Sequence, residues 1–140
     1  MRHRQARASG GFTLIEVLIV IVILGILAAI AIPMYLNQRE RARDANAREG
    51  GRMITTAAQL YILDPDNAAG TPPAVADKAT LTPKYLSPKE WPQNMYQQRD
   101  MQPVDGGPPL DGDYAYELTS DPVLFQVTVY LARGPDFVVP

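Results

Sequence analysis

Three features of this 140-residue chain predict an α+β fold. A helical pattern runs from Phe12 to about Leu63, apolar as far as Leu36 and amphipathic beyond it. Residues 64–112 hold nine prolines, which break regular structure. Residues 113–140 alternate apolar and polar side chains with the period of a half-buried strand. The economical way to bury both apolar faces is a long N-terminal helix whose second half packs against a small C-terminal antiparallel sheet.

Residues 1–11 form a short basic segment carrying Arg2, Arg4 and Arg7. Residues 12–36 follow as an apolar helix, and about 20 such residues suffice to cross a bilayer. Glu16 is the only charged residue in that run. An ionisable group inside a span costs about 2.5–3.5 kcal/mol on insertion scales, and such groups usually face a partner and mark function. Gly25 and Pro33 are the helix breakers of the segment; proline lacks a backbone donor and clashes with the preceding turn, so a kink or locally melted stretch is expected there.

Residues 37–63 continue as an amphipathic helix. Arg39, Glu40, Arg41, Arg43 and Asp44 are spaced for intrahelical pairs such as Glu40 with Arg43, and Ile54, Ala57, Ala58 and Tyr61 recur as an apolar stripe. Gly50-Gly51 predicts a bend or short break, at about 1 kcal/mol per glycine relative to alanine. The helix should stop before Asp64-Pro65-Asp66-Asn67, because the residue before proline avoids the helical region. In the connector, Leu81, Tyr85, Leu86, Trp91 and Pro92 are the expected anchors onto the core. The last third predicts a hairpin: Tyr114, Tyr116 and Leu118 on one strand, Val123, Phe125, Val127, Val129 and Leu131 on the other, joined through Thr119-Ser120-Asp121-Pro122.

Gly11-Phe12-Thr13-Leu14-Ile15-Glu16, followed by the apolar run from Val17 to Pro33, closely resembles the class III leader and N-terminal helix of type IV pilins and type II secretion pseudopilins. The resemblance covers roughly the first quarter of the chain. It implies a pilin-like fold, cleavage by a membrane prepilin peptidase between Gly11 and Phe12, and N-methylation of Phe12. It also implies that Glu16 neutralises the amino terminus of a neighbouring subunit as helices pack into a filament, and that the region of Gly25 and Pro33 loosens there. Cleavage creates the partner for the misplaced acid, since a free α-amine is largely protonated near neutral pH. The order Leu81, Tyr85-Leu86, Trp91-Pro92 resembles the connector of pseudopilins and competence-type pilins.

Composition narrows the function. No cysteine is present, so there is no disulfide, thiolate metal site or cysteine nucleophile; many major type IV pilins carry a C-terminal disulfide, and this chain departs from them. The only histidine, His3, lies in the leader. The formal charge is −2, and losing Arg2, Arg4 and Arg7 with the leader makes it −5, which argues against nucleic-acid binding. No enzyme activity and no cofactor are expected. An ordinary secretory signal cut near Ala28-Ala29 would have to accommodate an apolar run that continues past that point, and neither it nor an uncleaved anchor accounts for Glu16.

Orientation pulls two ways. Three arginines precede the span, whereas Arg39, Arg41, Arg43, Arg48 and Arg52 follow it, a count that favours the inverted topology. The resemblance requires the leader on the cytoplasmic side, and that is the orientation adopted here.

Asp105, Asp111 and Asp113, with Asp121, sit beside glycines in turns, and major pseudopilins of type II secretion carry calcium in a C-terminal loop. The spacing is not that of an EF-hand, and such acids are ordinary turn formers, so the expectation is no metal, with these three as calcium candidates. The chain is therefore expected to be a structural subunit of a type IV pilus-like filament. Its partners would be like or related subunits, the peptidase, an inner-membrane assembly platform and, before assembly, membrane lipid. It would be a single-pass inner-membrane protein first and an extracytoplasmic filament subunit afterwards. A type II secretion or competence pseudopilin is the near alternative, and a monomeric membrane-anchored extracytoplasmic binding module is the alternative of another class.

Overall fold

A computed structural model of the chain describes residues 11–104, 107–119 and 124–139. The protein divides into two compact units within its first helix, one ending at Asn37 and the other running from Gln38. That helix, α1, spans Leu14–Ile62. In the first unit it exposes large apolar side chains around its whole circumference, from Leu14 to Leu36. A helix apolar on every side needs a nonaqueous environment. Among the described residues it is the one helix long and apolar enough to cross a membrane. Helical structure is continuous through Gly25 and Pro33 rather than locally melted.

In the second unit α1 acquires one buried face: Asp44, Ala47, Gly50, Gly51, Ile54, Thr55, Ala57 and Ala58. Gly50-Gly51 does not break the helix as the sequence suggested. The two glycines are sites of close approach. A Cβ on Gly51 would lie 2.4 Å from Cγ2 of Val129, and one on Gly50 would lie 2.8 Å from Cβ of Pro92. The helix ends where expected: Pro65 follows, the Asn67 side chain donates to the Tyr61 carbonyl at 3.1 Å, and the Asp64 carboxylate accepts from the Asp66 amide at 2.9 Å.

The sheet that covers this face has three antiparallel strands in the order β3-β4-β5, with β3 at Tyr114–Leu118, β4 at Phe125–Val129 and β5 at Phe137–Val139. The hairpin β3–β4 pairs Tyr114 with Val129, Tyr116 with Val127 and Leu118 with Phe125. The inward alternation holds along β4, where Phe125, Val127 and Val129 are buried, but fades along β3 until Leu118 is exposed. The third strand, which pairs Val127 with Val139 and Val129 with Phe137, was not foreseen. Residues 120–123, including Val123 and Asp121, lie outside the described residues.

The connector folds onto the same core through the expected anchors. Leu81, Trp91 and Pro92 are buried and Tyr85 and Leu86 half-buried, with the Trp91 indole N–H donating to the Met101 carbonyl at 3.1 Å. It also contains structure that nine prolines did not suggest: a one-turn helix α2 (Lys78–Leu81) capped by Asp77, and a two-residue ribbon of β1 (Gln93–Asn94) and β2 (Arg99–Asp100).

The helix start and the candidate assembly site

Gly11, Phe12 and Thr13 precede α1 in non-helical, exposed backbone, with open space around Gly11. The Gly11–Phe12 peptide thus lies outside the helix and is exposed. Leader residues 1–10 lie outside the described residues.

Glu16 is three residues into α1 after Thr13, and the two form a reciprocal cap. The Glu16 amide donates to the Thr13 hydroxyl oxygen at 3.3 Å, while the Thr13 amide and hydroxyl donate to Glu16 Oε2 at 2.9 and 2.8 Å. This capping box satisfies helix-end donors that hydrocarbon would otherwise leave unpaired. The sequence reading missed it, although Thr-x-x-Glu ahead of an apolar run is its signature. Both donors fall on Oε2; among the described residues Oε1 accepts none. Beside the carboxylate, Phe12, Val17 and Val20 line a shallow apolar groove of about 240 Å³.

In the head, the charged groups are mostly tied to one another. The intrahelical pairing predicted for Glu40 with Arg43 gives way to longer-range contacts. Glu40 pairs with Arg133, Asp44 accepts the Tyr96 hydroxyl, and Arg43 lies 5.4 Å from the Tyr96 ring centre. Burial, and then the Asp44 carboxylate, raise the Tyr96 hydroxyl above the ordinary tyrosine range. Behind the end of α1, Lys84 reaches Asp64 and Asp66 at 2.6 Å each, and the Tyr85 hydroxyl donates to Asp64. Lys84, then Tyr85, hold Asp64 at about 2, below its ordinary 3.8.

The two calcium candidates among the described residues, Asp111 and Asp113, do not come together as ligands. Asp113 is buried and its oxygens are already engaged: Oδ2 by the Arg99 guanidinium at 2.6 Å, Oδ1 by the Asn94 amide at 2.8 Å. Asp111 is exposed and contributes its backbone carbonyl to Asn94 at 3.1 Å, while Asp105 lies outside the described residues. Among the described residues no group of three acidic, histidine or cysteine side chains is placed to hold an ion. A cation would have to displace Arg99, so these residues do not fit calcium as they stand. Asn94 is the centre of this cluster. It is fully buried, its Oδ1 accepts from the Tyr96 and Gln97 amides, and Gly112, at a positive φ of 83°, lets the chain pass over it. A loop asparagine reads as a turn former, so nothing in the sequence set it apart.

An apolar single-span helix and a head built around an amphipathic helix under a small antiparallel sheet define a class of membrane-anchored extracytoplasmic subunits. The prokaryotic N-terminal methylation motif matches residues 6–32. The type II secretion system core protein G of Pseudomonas aeruginosa is 35% identical over 116 residues, covering 80% of this chain and 75% of that protein. Core protein G of Vibrio cholerae is 29% identical over 133 residues, 95% of this chain and 87% of the relative. The type IV major pilin protein PilA of Myxococcus xanthus is 41% identical over 56 residues, 40% of this chain and 26% of that protein. No solved structure gives a significant match. The chain belongs to the pilin and pseudopilin family.

Proposed function

We propose that this protein is a pseudopilus subunit of the core protein G kind, a structural component of a type II secretion filament. The observation that carries the choice is how far each similarity extends. The core protein G of Vibrio cholerae aligns over 95% of the chain, helix and head together, whereas the type IV major pilin aligns over 40%. The helix serves either machine; the head distinguishes them. The absence of cysteine agrees with a disulfide-free head.

In this reading the subunit enters the inner membrane with its leader inside. A prepilin peptidase cuts between Gly11 and Phe12 and methylates Phe12, and an assembly platform draws the apolar helix into a bundle extending into the periplasm. The capped geometry supports a role for Glu16 in register. Thr13 holds Oε2, which leaves Oε1 for the protonated amine of a neighbour's Phe12. Two charges in hydrocarbon are favourable only when paired, and an axial offset that separates them leaves each uncompensated at a cost of several kcal/mol.

Substituting Glu16→Ala removes the pairing while leaving the cleavage site alone. The expected outcome is normal leader removal, loss of filaments in sheared or periplasmic material, and loss of release of exported proteins. Wild-type filament yield from the variant would overturn the register role. Long surface pili containing this chain, with protein export unaffected by its deletion, would favour the pilus instead.

A further inference from the structure

The second unit carries an open groove of about 360 Å³ lined by Arg39, Ala42, Arg43 and Asn46 of α1 and by Met95 and Gln98 of the β1–β2 turn. We infer that this groove binds the phosphate of an anionic phospholipid headgroup on the far side of the membrane while the subunit waits unassembled. The inference rests on the membrane-inserted reading above.

Four observations point to this occupant. Arg39, Arg43 and Asn46 are spaced i, i+4 and i+7, so one helix face presents two guanidinium groups and an amide together. Among the described residues no carboxylate lies within ion-pair distance of Arg39 or Arg43, because the helix's own acids are engaged elsewhere: Glu40 with Arg133, and Asp44 with Tyr96. Arg43 is held in place over the Tyr96 ring, whose hydroxyl Asp44 anchors, so this cation is positioned before any ligand arrives. Finally, Arg39 and Arg43 follow Leu36, the end of the apolar run, by three and seven residues. Headgroups add roughly 5–8 Å to each side of a hydrocarbon core about 30 Å thick, and a helix rises about 1.5 Å per residue, so Arg39 falls within the headgroup layer and Arg43 just beyond it, where its long side chain can reach back to a phosphate.

The chemistry suits a phosphodiester. Guanidinium is a planar donor matched to phosphate oxygens and is less strongly hydrated than ammonium. Met95, half exposed, and Ala42 provide an apolar surface for the glycerol end. The same contact gives two of the five arginines that follow the span a reason to be there, since the positive-inside rule alone would disfavour them on that side.

The test uses the full chain in detergent, exchanged into vesicles of phosphatidylcholine alone or with phosphatidylglycerol, with lipid retention read by native mass spectrometry. Retention of phosphatidylglycerol over phosphatidylcholine is expected. The pair Arg39→Gln with Arg43→Gln should reduce it roughly thirty-fold, the scale of two arginines near an anionic surface, while Lys89→Gln, the loss of a single charge in the connector, should not. Circular dichroism melts that match the wild type show that the double variant still folds. Equal retention of the two lipids, an unchanged preference in the double variant, or equal retention of free glycerol phosphate would each overturn the proposal. So would a double variant that loses self-association but keeps its lipid, because the groove would then belong to a neighbouring chain. Resistance to carbonate extraction is measured in parallel. Failure there sinks the membrane-inserted reading, whereas failure of lipid preference alone leaves that reading standing.

Discussion

At the scale of single residues, the chain places charge where burial makes it expensive and then satisfies it locally. Glu16 is the sharpest case, because its cap through Thr13 satisfies helix-end amides and fixes one carboxylate oxygen before any neighbour is present. Replacing Thr13 by valine keeps the shape and removes the hydroxyl. Losing such a cap costs about 1 kcal/mol, and amide exchange at Ile15 and Glu16 in detergent should rise about five-fold; unchanged exchange would mean the cap is idle. Asp64 makes the same point in the head. Its pKa is depressed to about 2 by Lys84 and Tyr85, so the stability it contributes is fully present above about pH 4 and is lost as pH falls toward 2. Melting temperatures measured between pH 5 and 2 should fall across that window. Asp64→Asn should start lower and lose less; a parallel decline in both proteins would count against the linkage. The cluster of buried Asn94 and Asp113 with half-buried Arg99 follows the same rule, the guanidinium compensating the carboxylate.

At the scale of elements, what could be read from the sequence was whatever repeats. The end of α1 at Asp64-Pro65, the apolar stripe at Ile54, Ala57 and Ala58, and the alternation of Phe125, Val127 and Val129 all declare a period or a breaker over several residues. Strand β5 and the β1–β2 ribbon are two or three residues long, too short for any period, and they form because neighbours offer them partners. Gly50-Gly51 shows how packing can offset a correct propensity and keep the helix unbroken. Each glycine does weaken an isolated helix, yet here their missing side chains admit Pro92 and Val129 against the helix axis. Gly51→Ala should therefore destabilise the head by about 1 kcal/mol or more despite the helix-propensity gain, since Val129 is stiff and must move. A denaturant midpoint at or above the wild-type value would show that β4 shifts freely.

At the scale of the whole molecule, the protein is two units with different solvents in view. The unit ending at Asn37 exposes apolar side chains on all sides, while the unit from Gln38 has its own packed core beneath the sheet. The N-terminal motif and the apolar run were enough to read the family, because they are dictated by the membrane and by the chemistry of cleavage. The placement of most head charges was not, because pairs such as Glu40 with Arg133 join residues far apart in the chain. In the proposed filament the two scales are linked, since the exposed helix would find other helices there and the Glu16 carboxylate a cation. The most direct measurement of that account is mass spectrometry of the mature N-terminus from native membranes. A chain beginning at N-methylated Phe12 is the predicted result; a chain that retains Met1 through Gly11 would contradict it, because Glu16 would then have no amine to meet.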